Sequence, residues 1–330
     1  MNAKFPDDKT IREVLTLAAR APSVHNSQPW RWHVGERSLD LRCVPALHLR
    51  ATDPDGRDLM LSCGAALHHG VVALAALGWH AEVHRFPNPV DANHVATIEV
   101  QRQGCGELDV KLAAAIPRRR TDRRLYSPWP VPPGDLALLE TRAAAAGVMV
   151  RRVDALARLR AIVVKAVRQH STDRDYLTEL TTWSGRHDSV AGVPARSTPS
   201  PDPTAMIPGR LFAGAELAQP PGATAAEDNA VVLALGTADD DPLQRLRAGE
   251  ATSLVLLTAT ALGLSSCPVT EPLQISETRA EVRATVFGDT GFPQMLLRVG
   301  WAPINADPLP STPRRPLAEI VTWTSGSPTD

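Results

Sequence analysis

Ala21-Pro22-Ser23-Val24-His25-Asn26-Ser27-Gln28-Pro29-Trp30 is the stretch from which the rest of the chain is best read. It crowds Ser, His, Asn, Ser and Gln between two prolines and sets them beside a Trp. Amides and hydroxyls both donate and accept, which suits a heteroaromatic edge or a polyol. An ordinary capped loop would not need Gln-Pro-Trp at its end. Upstream, Asp7 or Asp8 caps a helix whose apolar face is Ile11, Val14, Leu15 and Leu17-Ala18, and Pro22 stops it. Downstream, Trp30 to Val34 reads as a strand. Leu39 to Val44 alternates as its antiparallel mate, with the turn at Glu36-Arg37.

The chain has 330 residues, 43% hydrophobic, 22% charged and 4% aromatic, enough for one large domain or two ordinary ones. Lys and Arg number 35 against 36 Asp and Glu, a formal charge of −1 that argues against nucleic acid or an anionic membrane as the main partner. No apolar run reaches about 18 residues, so no membrane span is expected. Met1 to Asp8 holds no apolar stretch that could serve as a signal peptide. Cys43, Cys63, Cys105 and Cys267 lie far apart with no CxxC, so the expectation is a reduced, cytoplasmic, globular protein. Disorder, collagen, coiled coil and disulfide scaffolds are excluded on composition.

Asp58 to Leu77 reads as a central Ala/Leu/Val helix ended by Gly78, with strands following near Trp79 to Phe86 and Ala96 to Gln101. A second half repeats the plan. It offers a helix over Leu136 to Ala146, a strand over Val148 to Val153 and a charged helix over Leu156 to Leu180. Then come a buried strand over Ala230 to Gly236, a helix over Gly249 to Leu262 and a last strand over Gln294 to Val299. Gly64 and Gly249 open windows that close at Ala76-Leu77-Gly78 and Ala261-Leu262-Gly263, and a shift of 185 positions also lays Ala66 on Ala251. Each half runs helix, strand, central helix, strand. This predicts an internal duplication with halves at 1–110 and 111–330, one chain doing the work of a two-subunit assembly. Trp183 to Asn229 interrupts the second half with seven prolines. It reads as a lid, a binding loop or a disordered insertion. Trp183, Met206, Ile207, Leu211, Phe212 and Leu217 tilt it toward a segment that packs.

Arg118-Arg119-Arg120-Thr121-Asp122-Arg123-Arg124 holds five arginines in seven positions. Such a run is a solvated face or a phosphate site, because guanidinium forks match phosphate oxygens and Thr121 adds a hydroxyl. Thr312-Pro313-Arg314-Arg315-Pro316-Leu317 is a second basic point at the end of a Pro-rich approach from Pro303, and it could grip the same dianion if the C-terminus folds back. Gly263-Leu264-Ser265-Ser266-Cys267-Pro268 is either a plain helix C-cap or a turn whose N–H groups touch a flat cofactor. His80, Glu82 and His84 share a strand face, more often solvated than metal-binding, and no metal is expected. Adjacent His68 and His69 point apart on their helix. There is no G-x-S-x-G, Walker A or G-x-G-x-x-G motif. Cys267 lacks an evident His partner and reads as structural.

In these stretches the chain resembles the nitroreductase superfamily of FMN flavoproteins and, more closely, the mycobacterial Acg-type NAD(P)H nitroreductases. Ala21-Pro-Ser-Val-His-Asn-Ser-Gln-Pro-Trp30 is similar to the superfamily's A-P-S-x-x-N-x-Q-P-W signature. Arg119-Arg120-Thr121-Asp122-Arg123 is similar to its R-R-S-x-R element, Arg314-Arg315-Pro316-Leu317 to its C-terminal R-K-P-L, and Gly263-Leu264-Ser265-Ser266 to its G-L-G-S turn. The motif order departs from the family's, since the signature here precedes the Arg element. The resemblance therefore implies an α+β nitroreductase-like fold, duplicated so that a monomer mimics the family homodimer, with one complete FMN site. It implies that Arg119, Arg120, Arg123, Arg314 and Arg315 neutralise the phosphate and that Thr121 bonds phosphate or ribityl. Ser23, Asn26 and Gln28 line the flavin from the other half, with Arg20 beside them, while Ser265, Ser266 and Cys267 sit near the ring. It further implies ping-pong hydride transfer from NAD(P)H through FMN to a small-molecule electron acceptor, with no side chain as acid or base. The alternatives are a flavin-sequestering protein whose 183–229 segment covers the ring, and a phosphate- or nucleotide-binding module without redox chemistry.

Overall fold

Helix α1 (Asp8–Ala18) starts where Asp7 accepts the Thr10 backbone N–H at 2.8 Å, and it turns Ile11, Val14, Leu15 and Ala18 inward. In the computed structural model, which describes residues 5–185, 189–288, 290–303 and 305–324, an α+β architecture of two lobes follows. The first lobe contains the hairpin β1 (Trp30–Val34) and β2 (Ser38–Cys43), the long helix α2 (Arg57–Ala76), and a second hairpin β3 (Trp79–Arg85) and β4 (His94–Arg102). Helix α3 (Glu107–Ala115) leads out of it. The second lobe contains α4 (Pro133–Ala145), β5 (Met149–Arg152), α5 (Leu156–His170), α6 (Arg174–Trp183) and β6 (Val231–Thr237). It continues with α7 (Pro242–Ala261), β7 (Ser265–Pro268), α8 (Glu271–Gln274), α9 (Ser276–Val282) and β8 (Phe292–Gly300). The chain then passes α10 (Leu317–Ile320) and ends its described course at β9 (Val321–Trp323).

The two sheets run β3-β4-β2-β1-β9 and β5-β6-β8-β7. Read from its other edge, the second is β7-β8-β6-β5, the order of the first without β9. Each sheet thus sets its third and fourth strands beside its second and first, all antiparallel, against its own long helix. β9 lies parallel to β1, Trp32 opposite Val321 and Val34 opposite Trp323, so the C-terminal segment leaves the second lobe and completes the first lobe's sheet.

Where α2 meets α7, backbone touches backbone. A Cβ on Gly64 would lie 2.1 Å from the Leu246 carbonyl oxygen, and one on Gly249 would lie 2.2 Å from that of Leu61. The contact is reciprocal: Gly64 meets Leu246 as Gly249 meets Leu61, and Gly249 and Leu246 each stand 185 positions after Gly64 and Leu61, a relation otherwise met across a two-fold axis. His68 and Ser253 continue the register at 2.8 Å. Only glycine admits this approach. α2 is long and apolar enough to cross a membrane, yet most of it is buried between α7 and the first sheet, which accounts for its composition.

Several elements differ from the sequence reading. The helix expected over Leu156 to Leu180 is two, because the Asp173 carboxylate caps α6 by accepting the Asp175 and Tyr176 N–H groups. α7 begins at Pro242 rather than Gly249, capped by Asp241, with Arg245, Arg247 and Glu250 interrupting its apolar pattern. Gly263 to Pro268 is not a free turn. After Gly263 at φ +85°, Ser265 to Pro268 pair with β8 as a strand. A boundary at 110 cuts through α3, and the 111–330 half gives up its last strand to the first lobe. Gly249→Ala is expected to destabilise the fold by about 1–3 kcal/mol through overpacking; denaturant unfolding that leaves the midpoint unchanged would discard the close-crossing account.

Candidate functional site

Between the lobes the Pro22–Pro29 loop takes an unusual path. His25, Asn26 and Gln28 all hold left-handed backbone, at φ 45°, 53° and 52°. Non-glycine residues pay about 1–2 kcal/mol each for this, so the surroundings must impose it. The Ser23 hydroxyl accepts the Gln28 N–H at 3.0 Å. Asn26 Nδ2 donates to the carbonyls of Gly192 and Pro313 at 3.1 and 3.2 Å. Gln28 Nε2 donates to Val190 at 2.9 Å, and its Oε1 accepts the Arg315 N–H at 2.8 Å. One loop thereby ties together the Pro-rich segment and the C-terminal crossing.

Two adjoining cavities open beside it, sharing Pro22, Ser23, His25, Thr121 and Arg123. The smaller, about 70 Å³, is ringed by Arg20, Arg119, Arg120, Arg123 and Arg314. Among the described residues none of the five pairs with a carboxylate. Arg119 Nε and Nη1, Arg20 Nε and Arg314 Nε are buried without hydrogen-bond partners. Burial first, then the neighbouring guanidiniums, pulls Arg119 down to about 10 and Arg314 to about 9. A cluster of mutually repelling cations, Arg119 buried and the other four half-buried, with unfilled donors suits the surroundings of an anion.

The run 118–124 divides by direction. Arg118 turns outward to the Ala114 carbonyl, and Arg124 is neutralised by Asp122 at 2.8 and 2.9 Å. That leaves Arg119, Arg120 and Arg123 for the cavity. The run is held beside β7, where Thr121 bridges Ser266 and the Asp122 N–H donates to the Ser266 carbonyl at 3.0 Å.

The larger cavity, about 180 Å³, is lined by Ser62, Cys267, Asp58 and Glu271, among others, and on one side by the Pro-rich segment. That segment packs: Ala195, Thr198, Ala205 and Ile207 are buried, whereas Met206 and Leu211 are exposed; residues 186–188 lie outside the described residues. Its Phe212 meets His25 edge-on at 5.9 Å and carries Arg123 over its ring at 5.0 Å. Its Arg210 donates to His25 Nε2 at 2.5 Å. Burial, reinforced by Arg210, pushes the His25 imidazole well below its ordinary range and keeps it neutral.

Of the residues singled out by sequence, Arg20, Ser23, Asn26, Arg119, Arg120 and Thr121 line a cavity, as do Arg123, Cys267 and Arg314. Four do not. Gln28 is fully buried behind the wall, fastening other segments. Ser265 and Ser266 are held in β7, the first facing Asp122 at 3.5 Å. Arg315 sends its guanidinium to Glu319 at 3.3 Å and contributes only its backbone N–H nearby. His25, Asp58, Arg210, Phe212 and Glu271 went unselected. His25 stood inside the quoted loop, and Arg210 and Phe212 inside the Pro-rich segment whose packing the sequence suggested, but Asp58 and Glu271 carry no local signal.

No family model matches the chain. It is 65% identical over 323 residues to "Putative NAD(P)H nitroreductase Rv3131" of Mycobacterium tuberculosis H37Rv, covering 98% of this chain and 94% of the relative. It is 37% identical over 321 residues to "Putative NAD(P)H nitroreductase acg" of the same strain, covering 94% of each. The chain belongs to this Acg-type nitroreductase family. Among solved structures, the FMN-dependent nitroreductase NfnB from Mycobacterium smegmatis in complex with NADPH aligns at 17% identity and TM-score 0.41, over 66% of this chain and all of that one. A Bacteroides fragilis nitroreductase with bound FMN aligns at 14% identity and TM-score 0.39, over 59% and 90%. Likenesses this distant carry no chemical argument.

Two outcomes test the electrostatics of this family member. Arg119→Met should raise the stability of the ligand-free protein by about 1 kcal/mol or more, since a repelled buried charge is removed. It should also abolish any rise in melting temperature on adding inorganic phosphate; both are read by thermal unfolding. The unfolded chain protonates His25 below about pH 6.5 while the folded chain resists. Stability therefore falls as pH drops through that range, and His25→Gln should make the acid limb of a melting-temperature profile shallower.

Proposed function

We propose that this chain is an FMN-binding flavoprotein, an NAD(P)H-dependent nitroreductase-type oxidoreductase with one flavin site per chain. The observation that carries the reading is the ring of carboxylate-free arginines in the smaller cavity, joined through Ser23, His25, Thr121 and Arg123 to a larger cavity. A mononucleotide has that shape of chemistry: a dianionic tail, a polar chain and an apolar ring. The residues fit the group, because the unfilled guanidinium donors of Arg20, Arg119 and Arg314 call for an anion.

In this reading Arg119, Arg123 and Arg314 hold the phosphate, and Thr121 and Ser23 bond the polar chain. Asn26 fixes the loop between them, and Cys267 helps wall the ring side. Bound FMN supplies the hydride chemistry. The larger cavity takes NAD(P)H and an electron acceptor in turn, in ping-pong order, and its apolar and Pro-rich walls exclude water. The chain acts as a monomer: two lobes of matching strand order, joined at the reciprocal Gly64–Gly249 contact, support an internal duplication that imitates a two-subunit assembly. The Arg element follows only β4, and the Pro22–Pro29 loop precedes only β1, which supports a single site.

A second reading has one specific observation behind it. The Pro-rich segment, through Ile207, Arg210 and Phe212, walls the larger cavity and bonds the loop at His25. If it acts as a lid that stays shut, the protein stores flavin with little turnover.

Titration with FMN, followed by desalting and visible absorbance, is expected to give one flavin per chain. Arg119→Ala combined with Arg314→Ala should weaken binding by about 2 kcal/mol or more; unchanged affinity would remove the phosphate assignment. Stopped-flow mixing of the loaded protein with NADPH separates the readings. Bleaching within seconds supports the oxidoreductase, and none over hours supports storage.

A further inference from the structure

Glu271, the first residue of α8, lines the larger cavity while only 4% exposed. One of its oxygens is engaged. His170 Nδ1 lies 3.0 Å from Oε1, and the Tyr176 hydroxyl donates to the same atom at 3.5 Å. His170 and Tyr176 stack at 3.9 Å with an 8° angle between rings, so the pair holds the carboxylate in a fixed direction. Its other oxygen, Oε2, is buried with no partner among the described residues. A buried carboxylate oxygen left without a donor is costly, and it persists where a ligand donor completes it.

The surroundings narrow that donor. Asp58 lines the same cavity, accepting from Gln274 Nε2 at 2.6 Å, and burial followed by Asp53 pushes its carboxyl up to about 6. Two carboxyl groups thus face this end of the cavity. Arg210 lines the same cavity and its charge is felt by both Glu271 and Asp58, but its hydrogen bonds run to His25, Thr270 and Gln274, so it does not fill Oε2. The arginines that suit an anion gather around the smaller cavity, which Glu271 and Asp58 do not line. Beside α8 two carboxyl groups stand with the single guanidinium of Arg210, whereas the smaller cavity holds arginines and no carboxylate among its lining residues.

We propose that Glu271 Oε2 is a recognition point for an electron acceptor bearing a protonated amine. The proposal rests on the oxidoreductase reading for the role of that ligand, but its geometry stands apart from the arginine cavity. The charged N–H would fill the empty acceptor, forming a charge-assisted hydrogen bond. Glu271 would then set specificity among acceptors whose reacting groups are alike.

The test compares 4-nitrobenzylamine with 4-nitrotoluene at about pH 7, where only the first carries a positive charge. Calorimetric titration of the FMN-loaded protein should show the amine binding at least about tenfold more tightly. In Glu271→Gln that advantage should shrink to about twofold or less while FMN affinity holds. Equal binding by the unaltered protein, which needs no variant to measure, overturns the proposal, and so does an advantage that survives Glu271→Gln. Failure to take up FMN would strike the oxidoreductase reading alone. The same pair titrated into flavin-free protein then decides the subsite by the same criterion.

Discussion

Everything in this molecule hangs on two helices that touch through their backbones. At Gly64 and Gly249 no side chain intervenes between α2 and α7, so the lobes sit as close as peptide groups allow. That separation brings the Pro22–Pro29 loop of one lobe against the arginine run that leaves the other side of the crossing. Any side chain at either glycine would push the lobes apart and widen the cleft in which the cavities lie. The C-terminal segment reinforces the arrangement by crossing back to pair β9 with β1, carrying Arg314 past the loop on its way.

The cavities are expensive for the empty fold. Arg119, buried, and Arg314, half-buried, stand beside other arginines without a carboxylate among the described residues, and the loop holds three residues in left-handed backbone. Strain and unpaired charge of this kind are retained where a ligand relieves them. The Pro-rich segment belongs to the same economy: Arg210 and Phe212 engage His25 and Arg123, so the segment is part of the wall and not a loose insertion.

Much of the fold was legible in particular residues. The apolar face of α1, the Trp30 hairpin and the Ala/Leu helices closing at Gly78 and Gly263 all follow from periodicity and stop signals, because local backbone preference and burial agree there. β7 was missed because Ser265-Ser266-Cys267-Pro268 has no strand pattern of its own; it is a strand because β8 supplies its partners. The start of α7 is not legible because Arg245, Arg247 and Glu250 break the apolar pattern of its first turns, and a cap at Asp241 sets the boundary instead.

The sequence by itself determined which groups carry the charge and hydrogen-bonding capacity that an anionic, polar ligand needs: the arginine run, the second Arg pair and the polar loop, since residue type fixes both. Only the tertiary structure decided which of them converge. It set Arg119 and Arg314 together and sent Arg124 to Asp122 and Arg315 to Glu319. It also turned Gln28 from a lining residue into a fastener and drew Glu271, His25 and Arg210 to one cavity from separate segments. Side-chain direction depends on backbone path and on distant partners, and neither is encoded within a motif's own few residues.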